Sequence, residues 1–108
     1  MTLHHFVIVR DDLPIGVLAA QVIHAAGESV EGKVPSGTHA VALAAPSEEA
    51  LERIEKRLAD NDVPHISIRE PDAPWNGALM AIGIRPMAQD NPNLRRAVKR
   101  LPLLKERT

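Results

Sequence analysis

The side chains in this sequence best able to move a proton sit on one helix and two acidic loops. Residues 10–28 read Arg-Asp-Asp-Leu-Pro-Ile-Gly-Val-Leu-Ala-Ala-Gln-Val-Ile-His-Ala-Ala-Gly-Glu. Within them Val17, Gln21, His24 and Glu28 recur at steps of four, three and four, which lines them along one helix face. His24 is the only histidine on a predicted helix, and an imidazole's ordinary pKa suits a general base near neutral pH. Its orienting partner would be Glu70 or Asp72 from the later loop 70–77, provided that the two loops share one rim. Gln21 and the backbone N–H groups at the helix start are the available donors to a developing negative charge. His24, Glu70 and Asp72 are thus the candidate catalytic residues, and Arg10, Asp12, Gln21, Arg69 and Trp75 the candidate substrate-binding residues. Each has a plainer role as well. Gln21 and His24 can be polar residues on a rim, while Glu70 and Asp72 can cap a turn or pair with Arg10 and Arg69. Trp75 can be a lid over a pocket or a plug under its loop, and the shortage of other aromatics favours the plug.

The elements that must position these groups follow from periodicity. Residues 5–9, His-Phe-Val-Ile-Val, are nearly all apolar, as in a strand buried on both faces. His4 and His5 are neighbours in this strand, so they point to opposite sides and cannot chelate one ion together. The strand leads directly into a helix that begins near Pro14, with Asp11 or Asp12 as its expected N-cap. Ile15, Leu18, Ala19, Val22, Ile23 and Ala26 form the face expected to lie on the sheet, leaving Gln21 and His24 on a flank the core does not need. A loop over 31–38 precedes a small-sided strand at 39–45, which Pro46 closes. Residues 47–61 give the clearest helix. Ser47 suits the N-cap, Leu51, Ile54 and Leu58 the buried stripe, and Glu49 with Arg53 and Glu52 with Lys56 the outer pairs. A third strand at 65–69 and a fourth at 78–84 have no helix between them, so they are expected to run antiparallel or to be joined by a loop crossing the rim, and the sheet should be mixed. Residues 91–100 form a short basic helix, and 101–104, Leu-Pro-Leu-Leu, anchor the end. His39 and His65, each opening a strand, read as structural.

Arg10, Asp12, Leu13, Gly16, Ala19, Ala20, Gln21, His24 and Ala25 together resemble the opening motif of the type 2 peptidyl-tRNA hydrolases and their bacterial relatives. The similarity resumes at Ile68-Arg69-Glu70-Pro71-Asp72 and at Ala81-Ile82-Gly83-Ile84-Arg85-Pro86, and extends to about Leu104. The chain departs from the family pattern in three ways. It is about two residues shorter before Ala19, with Val17 where the family carries a lysine important for catalysis. The acid nearest the third strand is Glu70 rather than Asp, and the family threonine in that loop has no counterpart. Valine cannot polarise an ester carbonyl, so any activity must rely on other groups.

The composition limits the alternatives. A length of 108 residues allows one domain with one core. A net charge of -1 gives no global basic field, so a tRNA partner would need a local patch. One Phe, one Trp and no Tyr argue against aromatic base-stacking as a general mode of nucleic-acid binding, since Trp75 is the only large ring that could be spared. The absence of cysteine removes disulfides, thiolate metal sites and a cysteine nucleophile. No signal peptide and no bilayer-length apolar run are visible, which points to the cytoplasm.

The order of elements is therefore expected to be strand, helix, strand, helix, strand, strand, helix. The resemblance implies a three-layer α/β/α sandwich around a mixed four-stranded sheet. It also implies hydrolysis of the ester between an acyl group and the 3' end of tRNA, with no cofactor and no metal. Two alternatives remain: a catalytically inactive member that binds RNA or a protein partner, and a hydrolase of a different acyl substrate. An exposed sheet edge would make a homodimer available.

Overall fold

The computed structural model describes residues 2–106. Its elements are β1 (Leu3–Arg10), α1 (Ile15–Glu28), β2 (His39–Ala45), α2 (Glu48–Asp60), β3 (His65–Glu70), β4 (Ala78–Ile84), β5 (Met87–Ala88) and α3 (Pro92–Val98). The sheet order is β2-β1-β4-β3, with β1 parallel to β2 and β4 antiparallel to both β1 and β3. The sheet is mixed, as expected, but it has a fifth strand where four were predicted. Beyond Arg85 and Pro86 the chain returns to β1 for two residues, pairing Leu3 with Ala88 and His4 with Met87. Two residues are too few to leave a periodic signal.

β1 is buried on both faces, as its apolar run requires. Phe6 and Ile8 join a cluster with Leu51, Ile54 and Leu58 of α2 and Leu94 and Ala97 of α3. Val7 and Val9 join another with Leu18 and Ala25 of α1, Ile68 and Met80. The sheet thus has α1 on one side and α2 and α3 on the other, which gives the three expected layers. His4 and His5 divide the same way. His4 stacks on His39 and Phe6 with centroids 5.3 and 6.0 Å away, whereas His5 meets the Ser29 hydroxyl at 2.7 Å.

The second helix keeps its expected limits because Ser47 caps it, accepting from the Ala50 N–H at 3.1 Å. Its outer charges pair differently from the sequence expectation. Lys56 binds Asp60 at 2.9 Å, and Glu55 receives both the Ser67 hydroxyl and the Arg69 guanidinium from β3.

The face of α1 needs correction. Ile15 and Ile23 are 75% and 71% exposed and Ala19 is exposed, while Leu18, Gln21 and Ala25 are the buried residues. Backbone contact sets this rotation. A Cβ built on Gly83 would come within 2.1 Å of the Ala25 carbonyl oxygen and 2.7 Å of the Ser29 hydroxyl oxygen. Only a glycine allows α1 to sit so low on β4, and the contact turns the Ala25 side of the helix toward the sheet. The expected aspartate cap is also absent. Pro14 occupies the N-cap position and no side chain caps the helix.

The outer edge of β2 is covered by the end of the chain. Ala44 donates to the Pro102 carbonyl and Leu104 to the Ala42 carbonyl, both at 2.9 Å, and Leu103 bridges Leu43. The segment 101–104 therefore anchors the end as its leucines suggested. No helix among the described residues is long and apolar enough to cross a membrane.

Candidate functional site

The C-terminal ends of β1, β2 and β3 share one rim with the start of β4, and the loops 11–14 and 71–77 both leave from it. Open α/β sheets gather their ligands at such a rim. There the start of α1 and the end of β3 border a water-open cleft of about 350 Å³, lined by Gly16, Val17, Ala20, Gln21, His24, Glu70 and Trp75. The first helix and the later acidic loop thus share a mouth, as the candidate catalytic set requires.

The candidate residues divide on placement. His24 is solvent-accessible, its side chain 60% exposed, and its Nδ1 lies 3.7 Å from Glu28 one turn along the helix. Glu70 reaches the cleft from β3, while Asp72 does not line it. The Asp72 carbonyl accepts instead from the N–H groups of Trp75 and Asn76, and the Glu70 carbonyl from that of Gly77. These bonds turn the loop, with Gly77 at φ 90°, a conformation that favours glycine. Glu28 was legible from its four-residue spacing to His24, although the spacing alone gives no reason to prefer it to the acids of the later loop.

Arg10 and Asp12 are bound to each other. Arg10 Nε and Nη2 donate to the two Asp12 carboxylate oxygens at 2.9 and 3.0 Å, and Nη1 donates to the Leu79 carbonyl at 3.2 Å. The Asp12 hydrogen bonds hold the guanidinium more firmly protonated than usual, and the charges of Asp12, Glu48 and Glu49 act in the same direction against the effect of burial. The guanidinium carbon also stands 5.8 Å from the centre of the Trp75 ring. Trp75 is half-buried, packs on the apolar cluster under α1 and forms one wall of the cleft. It thus packs like a plug while its remaining surface borders the opening. Glu48 closes the rim by accepting the Leu79 N–H at 2.7 Å.

Arg69 lies across the sheet from the cleft. Ile68 packs toward α1, whereas Arg69 turns to Glu55 of α2, at 3.1 and 3.2 Å. Strand alternation separates the two directions, since Ser67, two residues before Arg69, reaches Glu55 as well. Gln21 remains. It is 4% exposed, lines the cleft, and its amide oxygen has no hydrogen-bond partner among the described residues. Among the described residues no lysine or arginine lines the cleft, and Val17 forms part of its wall.

Comparison of the sequence with protein families finds one match, Peptidyl-tRNA hydrolase PTH2, over residues 3–104. The chain belongs to the PTH2 family. The matched stretch runs from the first residue of β1 to the leucine that binds the edge of β2 and so covers every strand and helix described. No curated protein sequence shows significant similarity to this PTH2 chain.

Proposed function

We propose that this PTH2 chain hydrolyses the ester that joins a peptidyl or N-acylaminoacyl group to the 3' end of tRNA. In this reading its partner is tRNA and its place of action the cytoplasm. The observation that carries the proposal is the shared cleft, in which an accessible imidazole from α1 and a carboxylate from the end of β3 border one opening in a chain of this family. His24 takes a proton from water, the hydroxide adds to the ester carbonyl, and the tetrahedral intermediate expels the ribose oxygen, which recovers the proton from the imidazolium. Glu28 lies close enough to steady the ring, and Glu70 borders the same opening. With no cation lining the cleft among the described residues, the negative charge on the carbonyl oxygen depends on fixed dipoles. The positive end of α1 opens there through Gly16 and Val17, at a helix start with no side-chain cap. Release of free peptide from a peptidyl-tRNA analogue by the purified protein tests the proposal. His24→Ala should lower kcat by about 10²–10⁴-fold. If wild type and variant both show only background release, the proposal fails.

A second reading is favoured by Val17, whose apolar side chain borders the cleft in place of the family lysine. On that reading the chain binds tRNA without turning it over, and a salt-dependent tRNA affinity with no peptide release would establish it.

A further inference from the structure

The mechanism above leaves the most enclosed polar group of the cleft without a task. Gln21 is buried to 4% exposure with its amide oxygen unpartnered, and a buried polar group of this kind ordinarily finds a hydrogen bond. A carboxamide presents one acceptor and one donor side by side. That pair matches the N6 amino group and N7 of adenine, which glutamine binds bidentately.

The same cleft has an indole wall. Trp75 is held from one side by Arg10, which is itself fixed by both oxygens of Asp12, so the ring is set in place before any ligand arrives. An aromatic wall beside an unfilled amide edge suits a planar base carrying both donor and acceptor. A phosphate is disfavoured by Glu70, which would repel it, and no described residue supplies a cation to the opening. The chain has a single tryptophan and no tyrosine, so the stack can hold one base and no run of bases.

We propose that Trp75 and Gln21 form an adenine seat that receives the terminal nucleoside of the tRNA acceptor end. Trp75 stacks on the base and Gln21 reads its N6 and N7 edge. His24 lies one helical turn beyond Gln21, ~4.5 Å along the axis, a step comparable with that from a base to its own ribose. The seated base would thus bring the ribose ester toward the imidazole. This inference rests on reading the cleft as the site of ester hydrolysis, yet it makes its own binding claim.

The lone tryptophan supplies the measurement. Titration of the wild-type protein with adenosine 5'-monophosphate should quench its emission saturably. Purine riboside 5'-monophosphate, which lacks the 6-amino group, should bind about tenfold more weakly. Gln21→Leu should abolish that preference. Trp75→Leu, followed by calorimetry, should weaken the adenine nucleotide about tenfold. Absence of saturable quenching, equal affinity of the wild type for the two nucleotides, or a preference that survives in Gln21→Leu overturns the seat. The wild-type comparison needs no variant to fold. Selective adenine binding without peptide release would keep the seat and reject the hydrolase. Peptide release with a KM unchanged in Gln21→Leu would keep the hydrolase and reject the seat.

Discussion

Arg10 is clamped by both carboxylate oxygens of Asp12, at 2.9 and 3.0 Å, and the clamped guanidinium lies over the Trp75 ring. A residue pair that could have gripped substrate instead braces the wall of the cleft. Asp12 is 38% exposed at its side chain, so water softens the loss when it is removed. Asp12→Ala should cost about 1–2 kcal/mol in urea unfolding. It should also shift the Trp75 emission to longer wavelength as the ring loses its support. An unchanged emission maximum would show that the ring does not depend on the clamp.

The seat of α1 depends on Gly83. A methyl group there would meet the Ala25 carbonyl at 2.1 Å, and a backbone atom cannot swing aside as a side chain can. Gly83→Ala should therefore destabilise the protein by about 3 kcal/mol, the upper part of the usual range for an overpacked core. The lifted helix should also lower peptide release, because α1 carries His24 and one side of the cleft. Denaturant midpoints together with kcat measure both effects.

The burial of His5 should make stability pH-dependent. Burial lowers the folded pKa of His5 from its ordinary 6.5 by disfavouring the charged ring. The unfolded chain then binds this proton more readily than the folded one. The stabilising contribution is fully present above about 6.5 and is lost as the pH falls through the folded value. Stability measured across this range should decline toward acid, and His5→Gln should flatten the decline. A wild type and variant with parallel profiles would assign the pH dependence to other groups.

Val17 is the point at which the cleft lacks a cation. Val17→Lys would put an ammonium on the wall beside Gln21 and His24, where it can stabilise negative charge on the carbonyl oxygen. Peptide release should rise about tenfold in kcat, modestly against the 10²–10³ typical of a preorganised donor, because the new side chain is flexible. Activity appearing from nothing would identify the parent as a binding protein. Reduced activity would show that the site depends on an apolar wall.

Local chemistry made much of this protein legible without coordinates. The limits of α2 follow from the Ser47 hydroxyl and the Leu51, Ile54 and Leu58 stripe, and β2 and β4 were found where the flanking loops rich in proline and glycine put them. The motif from Arg10 to Ala25 carried the family, and His24 and Glu70 border one cleft, whereas Asp72 does not line it. Decisions that depend on partners distant in sequence were hidden. Gly83, more than fifty residues after α1, set the rotation that buries Gln21 and exposes Ile15 and Ile23. The packing of α2 on one face of β3 gave Arg69 to Glu55, and the last leucines returned to cover the edge of β2. Periodicity reports which side of an element is apolar. Which side is buried, and which polar group is left facing a cleft without a partner, depends on where other backbones come to rest.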